Sequence, residues 1–240
     1  MTLQCSPRSP VAWARPWWAS TSTTFPLHTA WQSVAGKPVP AASPDTAPVI
    51  GVLSLQGGVE EHLAILEQLG AHTRRVRLPK DLDGLDGLIL PGGESTVFDK
   101  LARTFELAEP LKAAIERGLP TLATCAGLIY AARELENPAS GQQTLGVLNV
   151  TVRRNAFGSQ RNSSERILTI DGETVESSFI RAPIVTAVGD GVEVLASTQD
   201  ADEEDVIVAV RQGHITAVSF HPEENGETTL HAAWLRGCRS

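Results

Sequence analysis

Three residues of this 240-residue chain sit where their side chains could do covalent chemistry: Cys125, His221 and Glu223. Cys125 follows the run Leu119-Pro120-Thr121-Leu122-Ala123-Thr124 and precedes Ala126-Gly127, small residues that open a helix. A thiol at a strand-to-helix turn faces the positive end of the helix and its unpaired backbone N–H groups. Both favour the thiolate that attacks carbonyls. His221-Pro222-Glu223 follows the apolar run Ile215 to Phe220. Pro222 biases His221 toward an extended backbone, and in an extended segment residues i and i+2 share a face. Glu223 can then reach the imidazole, fix its tautomer and stabilise its cation, as the acid of a triad does. The chemistry implied is acyl transfer by Cys, His and Glu.

Each segment alone has a plainer reading. A cysteine in an apolar run is commonly an inert core residue, and His-Pro-Glu can be a surface turn. A third segment shifts the balance: Leu90-Pro91-Gly92-Gly93-Glu94-Ser95-Thr96. Here a strand ends in a proline and two glycines, which permit φ > 0 or close backbone approach to a ligand. That suits donors aimed at a developing oxyanion.

With these residues the chain resembles the class I glutamine amidotransferases and, within them, the family of glutaminase subunits of pyridoxal 5'-phosphate synthase. The segments that carry the resemblance are Gly51-Val52-Leu53-Ser54-Leu55-Gln56-Gly57, Leu90 to Thr96, Thr124-Cys125-Ala126-Gly127, Arg154-Asn155-Ala156-Phe157-Gly158, Phe179-Ile180-Arg181-Ala182-Pro183 and Ser219-Phe220-His221-Pro222-Glu223. They run in family order from about Val49 to Trp234. The Cys and His-Pro-Glu segments fit many amidotransferases; the Leu-Gln-Gly, Arg-Asn-x-Phe-Gly and Phe-Ile-Arg-Ala-Pro segments narrow the resemblance to the one family.

The resemblance implies hydrolysis of L-glutamine to glutamate and ammonia. Cys125, His221 and Glu223 would form the triad, and the N–H groups of Gly93 and Ala126 the oxyanion hole. Gly93, Glu94, Ser95, Arg154, Ile180 and Arg181 would contact glutamine, Ile180 through its backbone. Arg154 could instead be a solvated loop cation. The ammonia would pass to a (β/α)₈-barrel synthase subunit that builds pyridoxal 5'-phosphate, with Gln56 and Gly57 at the interface. Gln56 could equally be a polar residue at a strand end. No metal or organic cofactor is implied, and the expected location is the cytoplasm. Two other readings differ in class: a docking subunit that no longer hydrolyses glutamine, and a glutaminase serving another acceptor. The chain departs from the family after Gly158, where Ser159-Gln160-Arg161-Asn162-Ser163-Ser164-Glu165 replaces the usual Arg-Gln-x-x-Ser-Phe-Glu, and after the triad, where Glu224-Asn225 replaces Leu-Thr.

The elements that must position these residues alternate strand and helix. Strands are expected at Val49–Leu55, Thr73–Leu78, Asp86–Leu90 and Leu119–Thr124. Helices are expected at Val59–Leu69, closed by Gly70, at Glu109–Arg117, with Pro110 in its first turn and Gly118 after its end, and at Ala126–Leu135. This alternation predicts a mainly parallel sheet flanked by helices, with active residues at the carboxyl ends of strands. The second half predicts an antiparallel extension: strands near Gly146–Arg153, Arg166–Ile170, Ile184–Val188, Val192–Ser197, Val206–Arg211 and Ile215–Phe220. A last helix near Thr228–Arg236 carries Leu230 and Trp234 at i,i+4 spacing. The fold class expected is therefore α/β in one domain over 49–240, and the resemblance implies the class I glutamine amidotransferase type.

Composition narrows the partners. The chain is 42% apolar with a formal charge of −8, which argues against nucleic acid as the main partner. Acid is concentrated at Asp200, Asp202, Glu203, Glu204 and Asp205, a solvated loop rather than a metal site. Cys5, Cys125 and Cys238 are too few and too scattered for a disulfide framework or zinc site. No apolar run is long enough to span a membrane. Residues 1–48 differ in kind, with many prolines, Ser and Thr, one acid (Asp45), and Trp13, Trp17, Trp18 and Trp31. They read as disordered. They resemble a transit peptide in being Ser-rich, acid-poor and bearing Arg8 and Arg15, but an over-extended gene start is the favoured reading.

Overall fold

In a computed structural model, which describes residues 47–157, 164–200, 204–224 and 226–238, the alternation predicted for the first half is present. Strand β1 (Val49–Leu53) leads into helix α1 (Val59–Gln68), strand β2 (His72–Val76) and a 3₁₀ turn at Pro79–Leu82. Strand β3 (Gly87–Leu90), helices α2 (Ser95–Thr104) and α3 (Ala108–Glu116), strand β4 (Thr121–Thr124) and helix α4 (Ala126–Ala131) follow. The second half supplies β5 (Ala132–Leu135), β6 (Leu148–Arg153), β7 (Ser164–Ile170), β8 (Glu173–Phe179), β9 (Ile184–Val188), β10 (Glu193–Gln199), β11 (Asp205–Gln212) and β12 (Ile215–Val218). Helix α5 (Thr229–Gly237) closes it. The residues before 47, the altered loop at 159–163 and part of the acidic stretch, 201–203, lie outside the described residues.

The strands order as β2-β1-β3-β4-β12-β11-β9-β6-β5, with β10 on β11 and β7 with β8 as a separate antiparallel pair. From β2 to β12 every pairing is parallel. At β11 the direction reverses, and β11 and β9 carry the antiparallel extension. Register divides the core in two, because alternate residues of a strand face opposite sides. Leu53, Leu88 and Leu90 pack with Phe98, Leu107 and Leu111 on one face. Ile50, Val52 and Ile89 pack with Leu63, Leu66, Leu230 and Trp234 on the other. The i,i+4 pair of the last helix is thus a core pair. Pro48 is buried, and its carbonyl accepts from His72 N at 2.9 Å.

Three elements differ from expectation. The helix expected over Ala126–Leu135 ends at Ala131, and Ala132–Leu135 is the edge strand β5, parallel to β6. Ala, Arg, Glu and Leu favour helix locally, but pairing with β6 buries Ala132 and leaves Arg133 and Glu134 exposed. Helix α2 has no counterpart among the expected elements: its inward face carries Ser95 and Asp99 as well as Phe98 and Ala102, which dilutes the apolar period. Strand β8 escapes the periodicity for the same reason, since Ser177 and Ser178 are among its buried positions.

Candidate active site

Parallel pairing brings the three chemical segments to one end of the sheet. Thr124 pairs with Val218 and Leu90 with Ala123, so Cys125, Ser219 and the Pro91-Gly92-Gly93 turn leave adjacent strands side by side. Cys125 N donates to Val218 O at 2.9 Å, tying the cysteine to the strand that precedes the histidine. Cys125 itself has φ 46° and ψ −100°. That conformation is costly for a non-glycine residue, of order 1–3 kcal/mol, and is retained only where surrounding structure imposes it. It lifts the sulfur off the strand axis and leaves Ala126 as the first residue of α4, whose N–H has no carbonyl one turn back. Gly127 allows this tight packing: a Cβ there would lie 2.0 Å from the carbonyl oxygen of Leu90.

His221 is placed from both sides. Its backbone N donates to Ser178 O at 3.0 Å, an isolated bridge to β8. Its Nδ1 lies 2.8 Å from Glu223 Oε1. The i,i+2 geometry expected from His-Pro-Glu is realised, and Glu223 is buried. Burial acts against a charged imidazole, but the Cys125 sulfur and the Glu223 carboxylate outweigh it and push the His221 pKa up to about 10. An imidazolium beside a sulfur is the arrangement that sustains a thiolate nucleophile. Behind Glu223 lies a wholly buried histidine pair: His62 Nδ1 is 2.8 Å from His231 Nε2, and His62 Nε2 is 3.6 Å from Glu223 Oε2.

A polar cleft of about 360 Å³ opens in front of Cys125 and His221. Gln56, Gly93, Glu94, Ser95, Arg154, Ile180 and Arg181 all line it. The Arg154 guanidinium is held rather than solvated: Nη1 donates to Gln142 Oε1 at 2.9 Å and Nη2 pairs with Glu94 Oε1 at 3.5 Å. Glu94 also caps α2, accepting from Thr96 N and Thr96 Oγ1. Ser95 Oγ accepts from Gln142 Nε2 at 3.0 Å. The 154–157 and 180–182 loops are pinned to each other, since Ala182 O accepts from Ala156 N and Phe157 N. Beneath them Phe157, Phe179 and Phe220 stack in series, with ring centroids 4.7 and 5.5 Å apart. These aromatics supply area burial plus roughly 0.5–1.5 kcal/mol per ring pair, and so fix both loops beside the cleft.

Gln56 and Gly57 lie at the α1 end of this cleft. Gln56 Oε1 accepts from Glu94 N at 2.8 Å, and Gly58 N donates to Gly92 O at 3.2 Å. Gly57, exposed and at φ +92°, could carry no side chain, because its Cβ would meet Gly92 O at 1.9 Å. Sequence reasoning missed Gln142, His62 and His231. Gln142 lies in an irregular stretch with no periodicity, and both histidines read as helix residues; only the folded chain places them against Arg154 and Glu223.

A profile of the SNO glutamine amidotransferase family matches residues 52–240. The pyridoxal 5'-phosphate synthase subunit PdxT of Corynebacterium glutamicum strain R is 61% identical over 192 residues, which cover 78% of this chain and 94% of that protein. The protein of the same name from Cutibacterium acnes is 59% identical over 194 residues, covering 79% and 96%. Among solved structures, one described as a glutamine amidotransferase superposes with a TM-score of 0.72 at 42% identity, over 80% of this chain and 99% of that one.

Proposed function

The chain belongs to the SNO glutamine amidotransferase family, and from that premise we propose how it works as the glutaminase subunit of a pyridoxal 5'-phosphate synthase. L-Glutamine enters the cleft with its carboxamide beside Cys125. The thiolate adds to the carboxamide carbon, and the oxyanion that forms is held by the N–H groups of Gly93 and Ala126. His221 gives its proton to the nitrogen, ammonia leaves, and a glutamyl thioester remains. The same imidazole then takes a proton from water, the resulting hydroxide attacks the thioester, and glutamate departs as the thiolate is restored. Glu223 stabilises the imidazolium in both halves. Arg154, locked by Glu94 and Gln142, offers its remaining N–H groups to the α-carboxylate of glutamine, and Ile180 and Arg181 line the same cleft and contact glutamine, Ile180 through its backbone. The observation that carries this reading is Cys125 at φ 46° in one cleft with a His221 already bonded to Glu223.

Ammonia freed into neutral water would become ammonium, which is not a nucleophile, so its acceptor must sit against this subunit. A second opening of about 400 Å³, lined by Gly58, Glu61, Gly92, Gly93, His221 and Glu223, lies at the α1 end. We place the (β/α)₈-barrel synthase subunit there, over Gln56 and Gly57; the bonds of Gln56 to Glu94 and of Gly58 to Gly92 connect a docked partner to the oxyanion turn. A cysteine nucleophile and a glutamine substrate suit the cytoplasm; among the described residues no helix is long and apolar enough to cross a membrane. The decisive experiment is ammonia release from glutamine with the synthase subunit present. Wild-type protein should release it and Cys125→Ala should fall to background while keeping its fold; appreciable release by Cys125→Ala would sink the assignment of the nucleophile.

A further inference from the structure

The second oxygen of the triad acid sets a problem that the triad does not solve. Glu223 Oε1 accepts from His221, but Oε2 is fully buried with no hydrogen-bond partner. A buried carboxylate oxygen left unpaired bears its desolvation cost uncompensated. The polar atom facing it is His62 Nε2, at 3.6 Å. That separation is beyond a formed hydrogen bond but within ion-pair reach, and such contacts commonly shorten when substrate binds.

His62 is held as a positioning group would be. It is wholly buried on α1, with Nδ1 2.8 Å from His231 Nε2 and Nε2 3.3 Å from Thr124 Oγ1, the residue before the nucleophile. The Glu223 carboxylate selects one tautomer. If His231 donates through Nε2, then His62 Nδ1 accepts and His62 Nε2 must carry a proton, which points at Glu223 and Thr124. His231 Nδ1 makes no formed hydrogen bond, and the Glu227 backbone near the ring favours the other tautomer, so the choice falls to the Glu223 carboxylate. The opposite pair of tautomers would set a bare His62 Nε2 against the Glu223 carboxylate, lone pair against negative charge. Burial, and then the neighbouring His231 and His221 rings, hold His62 well below the ordinary histidine range, so the group presents a neutral N–H rather than a competing cation.

We propose that His62, set by His231 and Thr124, is a positioning residue that fixes the second oxygen of Glu223 and so keeps the first on His221. The proposal rests on the triad reading above. It joins helix α1 to the catalytic acid and makes a four-member chain, His231–His62–Glu223–His221, of which the first three are buried and only the last reaches substrate.

The test uses the full chain with the synthase subunit and reads kcat and KM for glutamine by ammonia release. His62→Leu should lower kcat roughly 10- to 100-fold with KM within about threefold. His62→Gln, whose side-chain amide can place a donor near the position of Nε2, should recover most of the loss. In a Glu223→Gln background, His62→Leu should add almost nothing, because the group it positions has lost its charge. His231→Leu, which frees the His62 tautomer, should give a smaller loss of about three- to tenfold. Should His62→Leu fail to fold, His62→Gln and His231→Leu carry the test: the proposal then requires the order wild type, Gln variant, His231 variant. Wild-type kcat in His62→Leu, no gain from His62→Gln over Leu, or full additivity with Glu223→Gln would overturn it. Failure of the triad reading is separate, because Cys125→Ala would then still release ammonia.

Discussion

Neutralising Glu223 while keeping its shape, as in Glu223→Gln, removes the charge that faces His221 when the imidazole carries a proton. The amide nitrogen can also turn toward Nδ1 and impose the wrong tautomer. Turnover should fall by up to about 10⁴-fold, on the scale seen when triad acids are neutralised, with glutamine binding retained. Single-turnover release of ammonia beside a separate binding measurement distinguishes the two effects. Cys238 is the matching control. Its sulfur packs near Gly87 and Trp234, outside the cleft. Cys238→Ser should leave ammonia release unchanged, and a loss comparable to that of Cys125→Ala would contradict a single nucleophile. Both outcomes at the residue scale are legible in the amino-acid order, because Cys125 and His-x-Glu carry their chemistry in their neighbours.

At the scale of elements, the elbow depends on how closely α4 lies over β3. Gly127→Ala would set a Cβ 2.0 Å from the Leu90 carbonyl, a backbone atom that cannot turn aside. Helix α4 must shift, carrying Ala126 and the Cys125 backbone with it. The variant should lose about 1–3 kcal/mol of stability by the usual cost of overpacking and lose activity out of proportion to that. A thermal melt with a glutaminase assay on the folded fraction checks it; wild-type activity per folded molecule would mean that the elbow tolerates displacement. The short α4 and the strand that follows it show why element boundaries are less legible than the chemistry. Ala132–Leu135 has helical composition, and only the presence of β6 alongside makes it strand.

For the whole molecule, the buried histidines set a pH window. Burial pushes His231 down to about 4, and His62 is also depressed. Unfolded histidines take up protons near 6.5, so between about 6.5 and 4 the unfolded chain binds more protons than the folded one. Stability should therefore fall as pH drops through that range, by about 3 kcal/mol for His231 alone. The groups that face the pair are Glu223 and His221 around His62 and Glu227 near His231. His221 has the opposite sign: its raised pKa gives stability that is complete below about 6.5 and lost as pH climbs toward 10. Melting temperature against pH should peak near neutrality, and His231→Gln should flatten the acid limb; an unchanged acid limb would show that the ring is not neutral in the folded protein. The partner adds a second whole-molecule effect. If docking at Gln56 and Gly57 sets the Gly92–Gly93 turn, the synthase subunit should raise glutamine hydrolysis at least about tenfold, equivalent to roughly 1.4 kcal/mol. Equal rates with and without a partner shown to bind would refute the coupling and leave the triad standing.

Local geometry is written in the order of the residues. Cys125 between a strand and a helix, His221 and Glu223 separated by a proline, and the Gly92-Gly93 turn each announce their shape through immediate neighbours. The alternation of apolar runs announces a mainly parallel sheet. Whatever depends on distant segments meeting was settled by the tertiary fold. Arg154 is locked because Glu94 and Gln142 converge on it from two other parts of the chain. His62 and His231 are 169 residues apart and share a 2.8 Å contact. Strand β8 buries Ser177 and Ser178 beside Val175 and Phe179, and His221 bridges to Ser178. Periodicity records which side of an element is buried, but not what is buried against it. The contact of Glu223 with His221 was therefore legible from two residues, and the pair behind it only from the fold.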